Sequence, residues 1–169
     1  ITVTLGRVAH VGFVVDYLDA TMTRLGVEWW VSWAPVRAVR ALVRVADSRE
    51  PEPQGHDVRF VTSRQGDPYV KVIEAVPGSV WPPDGGDRLD HWTFWVTSLR
   101  DAVSDLERKG YALEATGLEE DGRPRYAYLR SPQGWRIELG CESNRGEFET
   151  WARESHFQSD ATDPLAMNS

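Results

Sequence analysis

The chain has 169 residues, a formal net charge of −7, 41% hydrophobic and 27% charged side chains, and one cysteine. That length and balance suit one domain, or two half-domains sharing a core. The acidic surplus excludes the basic face a nucleic acid requires. A lone cysteine excludes an intramolecular disulfide and a thiolate zinc cluster, so any metal here must use nitrogen and oxygen. No run reaches the roughly 18 apolar residues of a membrane helix, and Ile1-Thr2-Val3-Thr4 is not a basic region leading into an apolar one, so a cytoplasmic location is expected. The 8 tryptophans call for burial, a pocket or an interface.

A repeat organises the chain. Val8-Ala9-His10-Val11-Gly12-Phe13-Val14-Val15 and Leu89-Asp90-His91-Trp92-Thr93-Phe94-Trp95-Val96 both read as strands opened by histidine. In the first copy Asp16 is a candidate cap for a helix over Leu18 to Leu25, ending at Gly26. In the second, Thr97 or Ser98 caps a helix over Leu99 to Lys109, ending at Gly110. Strand-like segments follow each helix, about 28 to 45, 56 to 64 and 69 to 75 in the first half and 112 to 116, 125 to 130 and 135 to 139 in the second. Each half is therefore βαβββ, and the fold class is α+β. The expected division is a first module over 1–76, a linker over 77–88 containing Pro82-Pro83 and Gly85-Gly86, a second module over 89–141, and an extension over 142–169. In that extension 145 to 154 is a candidate helix and 159 to 169 reads as a frayed tail.

Lys71-Val72-Ile73-Glu74 lines up with Trp135-Arg136-Ile137-Glu138, so each module has histidine first and glutamate last. Alternate residues of a strand share a face, which places His10 with Gly12 and Val14, and His91 with Thr93 and Trp95. If pseudo-symmetry brings the opening strands together and the closing strands flank them, His10, Glu74, His91 and Glu138 form a ligand set for zinc, nickel, cobalt, manganese or iron, with positions open for substrate. Without Glu74, the remaining two histidines and one carboxylate are the set used by ferrous oxygenases. His56 and His156 read as surface residues, and Cys141 as a small core filler.

Paired βαβββ modules with this His/Glu pattern resemble the vicinal-oxygen-chelate superfamily, which includes glyoxalase I, methylmalonyl-CoA epimerase and the extradiol dioxygenases. The likeness spans roughly 8 to 139. Its strongest stretches are Val8-Ala9-His10-Val11-Gly12-Phe13-Val14-Val15, Asp90-His91-Trp92-Thr93-Phe94 and Ser131-Pro132-Gln133-Gly134-Trp135-Arg136-Ile137-Glu138-Leu139. The resemblance implies a curved, incompletely closed mixed β-barrel around a metal site with helices outside, and a metal held by His10, Glu74, His91 and Glu138. It also implies proton transfer beside a chelated carbonyl, of isomerase, epimerase or lyase type, with Glu74 or Glu138 as base. Trp33, Thr93 and Trp95 are the expected pocket residues. A small-molecule substrate and a homodimer are the expected partners. The rival readings are a ferrous extradiol-type dioxygenase and a non-catalytic protein that sequesters a drug.

Overall fold

The computed structural model describes residues 2–47 and 52–154. The expected frayed tail and His156 lie outside them. The first module runs β1 (His10–Val15), α1 (Leu18–Glu28), β2 (Arg37–Val45), β3 (Gln54–Thr62) and β4 (Tyr69–Glu74). The second runs β5 (Arg88–Val96), α2 (Leu99–Arg108), β6 (Ala112–Leu118), β7 (Pro124–Arg130) and β8 (Arg136–Cys141), followed by a short 3-10 turn at Glu142–Asn144 and α3 (Arg145–Arg153). Among the described residues no helix is long and apolar enough to cross a membrane.

The eight strands form one mixed barrel in the order β1-β4-β3-β2-β6-β7-β8-β5. Each opening strand lies parallel to its module's closing strand, β1 to β4 and β5 to β8, while β1 and β5 run antiparallel to each other. The α+β class and the paired modules follow the sequence reading. Closure goes further than the expected open barrel, because Leu42 to Val45 of β2 pair with Leu118 to Ala115 of β6 and seal the second seam.

Period-two patterning sorts the core into three parts. On the outer face, Val96, Leu129, Ile137 and Leu139 pack under Leu99, Ala102 and Leu106 of α2. Val15, Val61 and Val72 pack under Leu18 of α1. Inside the barrel, Val14, Val43, Val58, Ile73, Trp81, Ala115 and Tyr128 form a third cluster. Burying a large apolar side chain stabilises by about 1.5–3 kcal/mol, so each helix is held by its apolar stripe against the barrel.

The two helices are capped differently. Ser98 caps α2, its hydroxyl accepting from the Asp101 N–H at 3.3 Å. Asp16 does not cap α1; that helix begins after Tyr17, which has no side-chain cap, and the Leu18 N–H instead donates to the Glu74 carboxylate at 3.0 Å. Helix α1 also continues past Gly26 to Glu28, whereas α2 stops where Gly110 takes φ 88, a left-handed conformation glycine adopts without a Cβ penalty.

Candidate functional site

The antiparallel β1–β5 seam places the two histidine strands side by side. His10 pairs with Thr93 and Gly12 with His91, which are equivalent pairs under the repeat. His10 is 2% exposed and His91 is fully buried, with ring centroids 6.5 Å apart. The absence of a side chain at Gly12 makes this approach possible, since a Cβ there would fall into the His91 ring.

Glu138 arrives from β8, where it pairs with Thr93, and is 6% exposed. Its Oε2 lies 3.2 Å from His91 Nε2. The other His91 nitrogen is anchored: Nδ1 lies 2.8 Å from the Asp90 carboxylate, which in turn accepts from buried Arg136 at 2.9 Å. A carboxylate on one imidazole nitrogen sets the tautomer and aims the other nitrogen, here toward Glu138. His10 Nδ1 and Thr93 Oγ1 are buried without a hydrogen-bond partner, while His91 Nε2 and Glu138 Oε2, also buried, face each other at 3.2 Å. Buried polar atoms left unpaired are costly, and their convergence marks a place built for a ligand.

Glu74 does not join them. In β1–β4 pairing His10 lies opposite Tyr69, Gly12 opposite Lys71 and Val15 opposite Glu74, so Lys71 shares the inward face and Glu74 the outward one. Glu74 accepts from the Leu18 N–H and from Arg59 Nη1 at 3.2 Å, outside the barrel. The structure thus brings His10, His91 and Glu138 together and puts the Lys71 ammonium where the fourth acid was expected.

The electrostatics follow this arrangement. Burial drives the His10 pKa well below its ordinary value, with the positive Lys71 adding to the fall. Burial opposes charge on His91 too, but its hydrogen bonds to Asp90 and Glu138 outweigh that and raise its pKa. For Glu138, burial alone would favour the neutral acid; Lys71 and His91 reverse this and hold the carboxyl well below the usual carboxylate range.

His10, Lys71 and Glu138 face a cavity of about 390 Å³ inside the barrel, walled by Phe60, Trp81, Trp95, Tyr126, Tyr128 and Trp151 among others, while His91 is buried outside its lining; the volume is within the size range of small-molecule sites. Trp95 is on this wall as expected. Thr93 lies beside His10 in the seam, fully buried. Trp33 is not on the wall; it packs with the α1 cluster and donates to the Met22 carbonyl at 3.0 Å. The sequence reading missed Lys71 and the aromatic face of α3. Phe148 stacks on His10 with centroids 5.0 Å apart, and Trp151 donates to the Pro35 carbonyl at 2.9 Å. Glu147 lies 3.6 Å from Arg37 and 3.7 Å from Arg125, so α3 lines the cavity and is held there by aromatic and ionic contacts. His56 lies in β3, away from the cavity wall. Cys141 ends β8, and burial raises its thiol pKa, consistent with a packing residue.

The four-donor metal set does not fit this cavity. Two imidazoles and one carboxylate remain, the Lys71 cation faces the same space, and among the described residues no group of three or more His, Cys, Asp or Glu side chains is arranged to hold a metal ion.

The fold recurs in solved structures. A methylmalonyl-CoA epimerase in complex with methylmalonyl-CoA and NH4+ shares 17% identity at a TM-score of 0.59, over 82% of this chain and 95% of that one. A Streptomyces coelicolor methylmalonyl-CoA epimerase variant in complex with 2-nitronate-propionyl-CoA gives the same values. The Mycobacterium tuberculosis methylmalonyl-CoA epimerase shares 14% identity at a TM-score of 0.52, over 83% of this chain and 91% of that one. No curated protein matches the sequence. The sequence profile of the Glyoxalase/Bleomycin resistance protein/Dioxygenase superfamily matches residues 9–128, more than half of the chain, and with the paired βαβββ barrel this establishes that the chain belongs to that superfamily.

Proposed function

We propose that the chain is a proton-transfer enzyme of isomerase, epimerase or lyase type, acting on the carbon next to a carbonyl in a small molecule held inside the barrel. The observation that carries this reading is Glu138: a carboxylate on the cavity wall, 6% exposed, with one oxygen 3.2 Å from His91 Nε2 and a pKa held low enough to keep it ionised at neutral pH. A general base must be deprotonated and within reach of the proton it takes. Glu138 accepts the C–H proton, the C–H electron pair moves into the carbonyl to give an enolate, and the proton returns to the same carbon as the carbonyl re-forms. His10, kept neutral by its lowered pKa, is a second acceptor on the same wall. The epimerase function named for the fold neighbours belongs to this reaction class.

The divalent ion that the family resemblance implies does not fit the residues present, since His10, His91 and Glu138 are not arranged as a group that could hold it and Glu74 lies outside the barrel, and no step here runs through it. The test is exchange of the α-proton of phenylpyruvate or methylmalonyl-CoA with deuterated solvent, followed by NMR. Wild-type protein is expected to catalyse exchange with at least one of them, and Glu138→Gln to lower the rate by about 100-fold or more. Exchange at the uncatalysed rate with both substrates, or a fully active Glu138→Gln variant, removes this reading. Oxygen uptake with a catechol and ferrous iron would replace it with the dioxygenase reading.

The aromatic walls and the broken ligand set support a second reading, a protein that binds an aromatic ligand without transforming it. Tight binding with no exchange is its signature.

A further inference from the structure

The two halves of the site are related by register, and that relation identifies which residue of β4 corresponds to Glu138. In the second module His91 is followed two residues later by Thr93, which pairs with Glu138. In the first, His10 is followed two residues later by Gly12, which pairs with Lys71. Lys71 is therefore the symmetry mate of Glu138, and at one of the barrel's two equivalent inward positions an acid is exchanged for a base.

We propose that Lys71 stands in place of a fourth metal donor and makes the cavity a binding site for an anionic small molecule, a carboxylate with an apolar body, whose negative oxygen pairs with the Lys71 ammonium. The Lys71 Nζ lies 5.1 Å from the Phe60 ring centroid, and among the described residues the ammonium makes no hydrogen bond or ion pair. Other basic groups at the cavity are partnered: Arg37 with Glu147, Arg40 with Asp57, and Arg125 with Glu119. Glu138, on the same wall, is engaged with His91 at 3.2 Å. A partly buried ammonium with no directly bonded carboxylate, only the longer-range attraction of Glu138 across the same cavity, favours an anion over its neutral isostere, because a neutral ligand desolvates the charge without a contact that compensates it. The walls of Phe60, Trp81, Trp95 and Trp151 suit the apolar body. The same fixed charge repels a dication that would use His10, His91 and Glu138.

The substrate class rests on the proton-transfer reading only in that the carboxylate-bearing molecule is also the one transformed; binding is measured without turnover. The probes are 3-phenylpropionate and its neutral isostere 3-phenylpropanamide, titrated against tryptophan fluorescence, together with Co2+ followed by its visible absorption and by chelator competition. Wild-type protein is expected to bind the carboxylate at least ten-fold more tightly than the amide. Lys71→Met is expected to abolish that preference with an unchanged melting temperature, and Lys71→Glu to bind Co2+ at least ten-fold more tightly than wild type. The proposal is overturned if the wild type shows no preference for the carboxylate, if Lys71→Met keeps the preference, or if wild type binds Co2+ as tightly as Lys71→Glu. Should Lys71→Glu fail to fold, the Lys71→Met comparison decides alone. Carboxylate preference without proton exchange leaves this inference standing and removes only the catalytic one.

Discussion

The two modules share a backbone plan and differ in their chemistry. In the second, β8 delivers Glu138 into the barrel and Asp90, backed by Arg136, orients His91. In the first, β4 delivers Lys71 into the barrel, and its last residue, Glu74, faces out to cap α1 and meet Arg59. A carboxylate is thus present in both closing strands, but one is part of the site and the other part of the scaffold. Duplicated architecture preserves which positions face inward. It does not preserve what stands there, so symmetry predicts geometry more securely than it predicts ligands.

Three substitutions sharpen this contrast. The largest effect is expected at the seam: Gly12→Ala places a Cβ in the His91 ring, whereas its symmetry mate, Thr93, already carries a side chain. Overpacking of this kind costs roughly 1–3 kcal/mol. Thermal unfolding should show a melting temperature lower by several degrees, and an unchanged value would mean that His91 is not seated against the β1 backbone. Next is Glu74→Ala, which removes the acceptor for the first N–H of α1 and one partner of Arg59. About 1 kcal/mol of stability should be lost, as for other N-terminal caps, with carboxylate binding and proton exchange unaltered. A large loss of either function would return Glu74 to the site.

The smallest effect belongs to Asp105, a buried carboxylate of α2. The Lys109 ammonium at 2.6 Å and the Val3 N–H at 3.0 Å outweigh burial and bring the Asp105 carboxyl down to about 2. A carboxylate with a depressed folded-state pKa stabilises fully above its unfolded value near 4 and loses that contribution as pH falls through its folded value. The gap in melting temperature between wild type and Asp105→Asn should therefore be complete above about pH 5 and shrink toward pH 2. A gap independent of pH across that range would show that the carboxylate charge contributes nothing.

Much of this was legible in the chain itself. The His10 and His91 strands, the apolar stripe of α2, its Ser98 cap and its Gly110 stop all rest on interactions spanning a few residues, where periodicity and capping chemistry act directly. Glu138 was readable because it closes a strand of the expected parity. Lys71 was not, because setting Glu74 beneath Glu138 slips the closing strands by three residues, and an odd slip turns a strand over. The register was detectable only as a count of two residues from each histidine to its pairing partner, which sequence similarity alone does not supply.

Sequence by itself determined the elements, their duplication and the inward histidines, since each depends on local periods of two or of about 3.6 residues. Tertiary structure alone decided that β2 and β6 seal the barrel, that Phe148 of α3 stacks on His10, that Trp33 serves the α1 packing, and that a lysine rather than a glutamate completes the site. Those outcomes depend on strand register and on contacts between distant segments, and neither leaves a periodic trace along the chain.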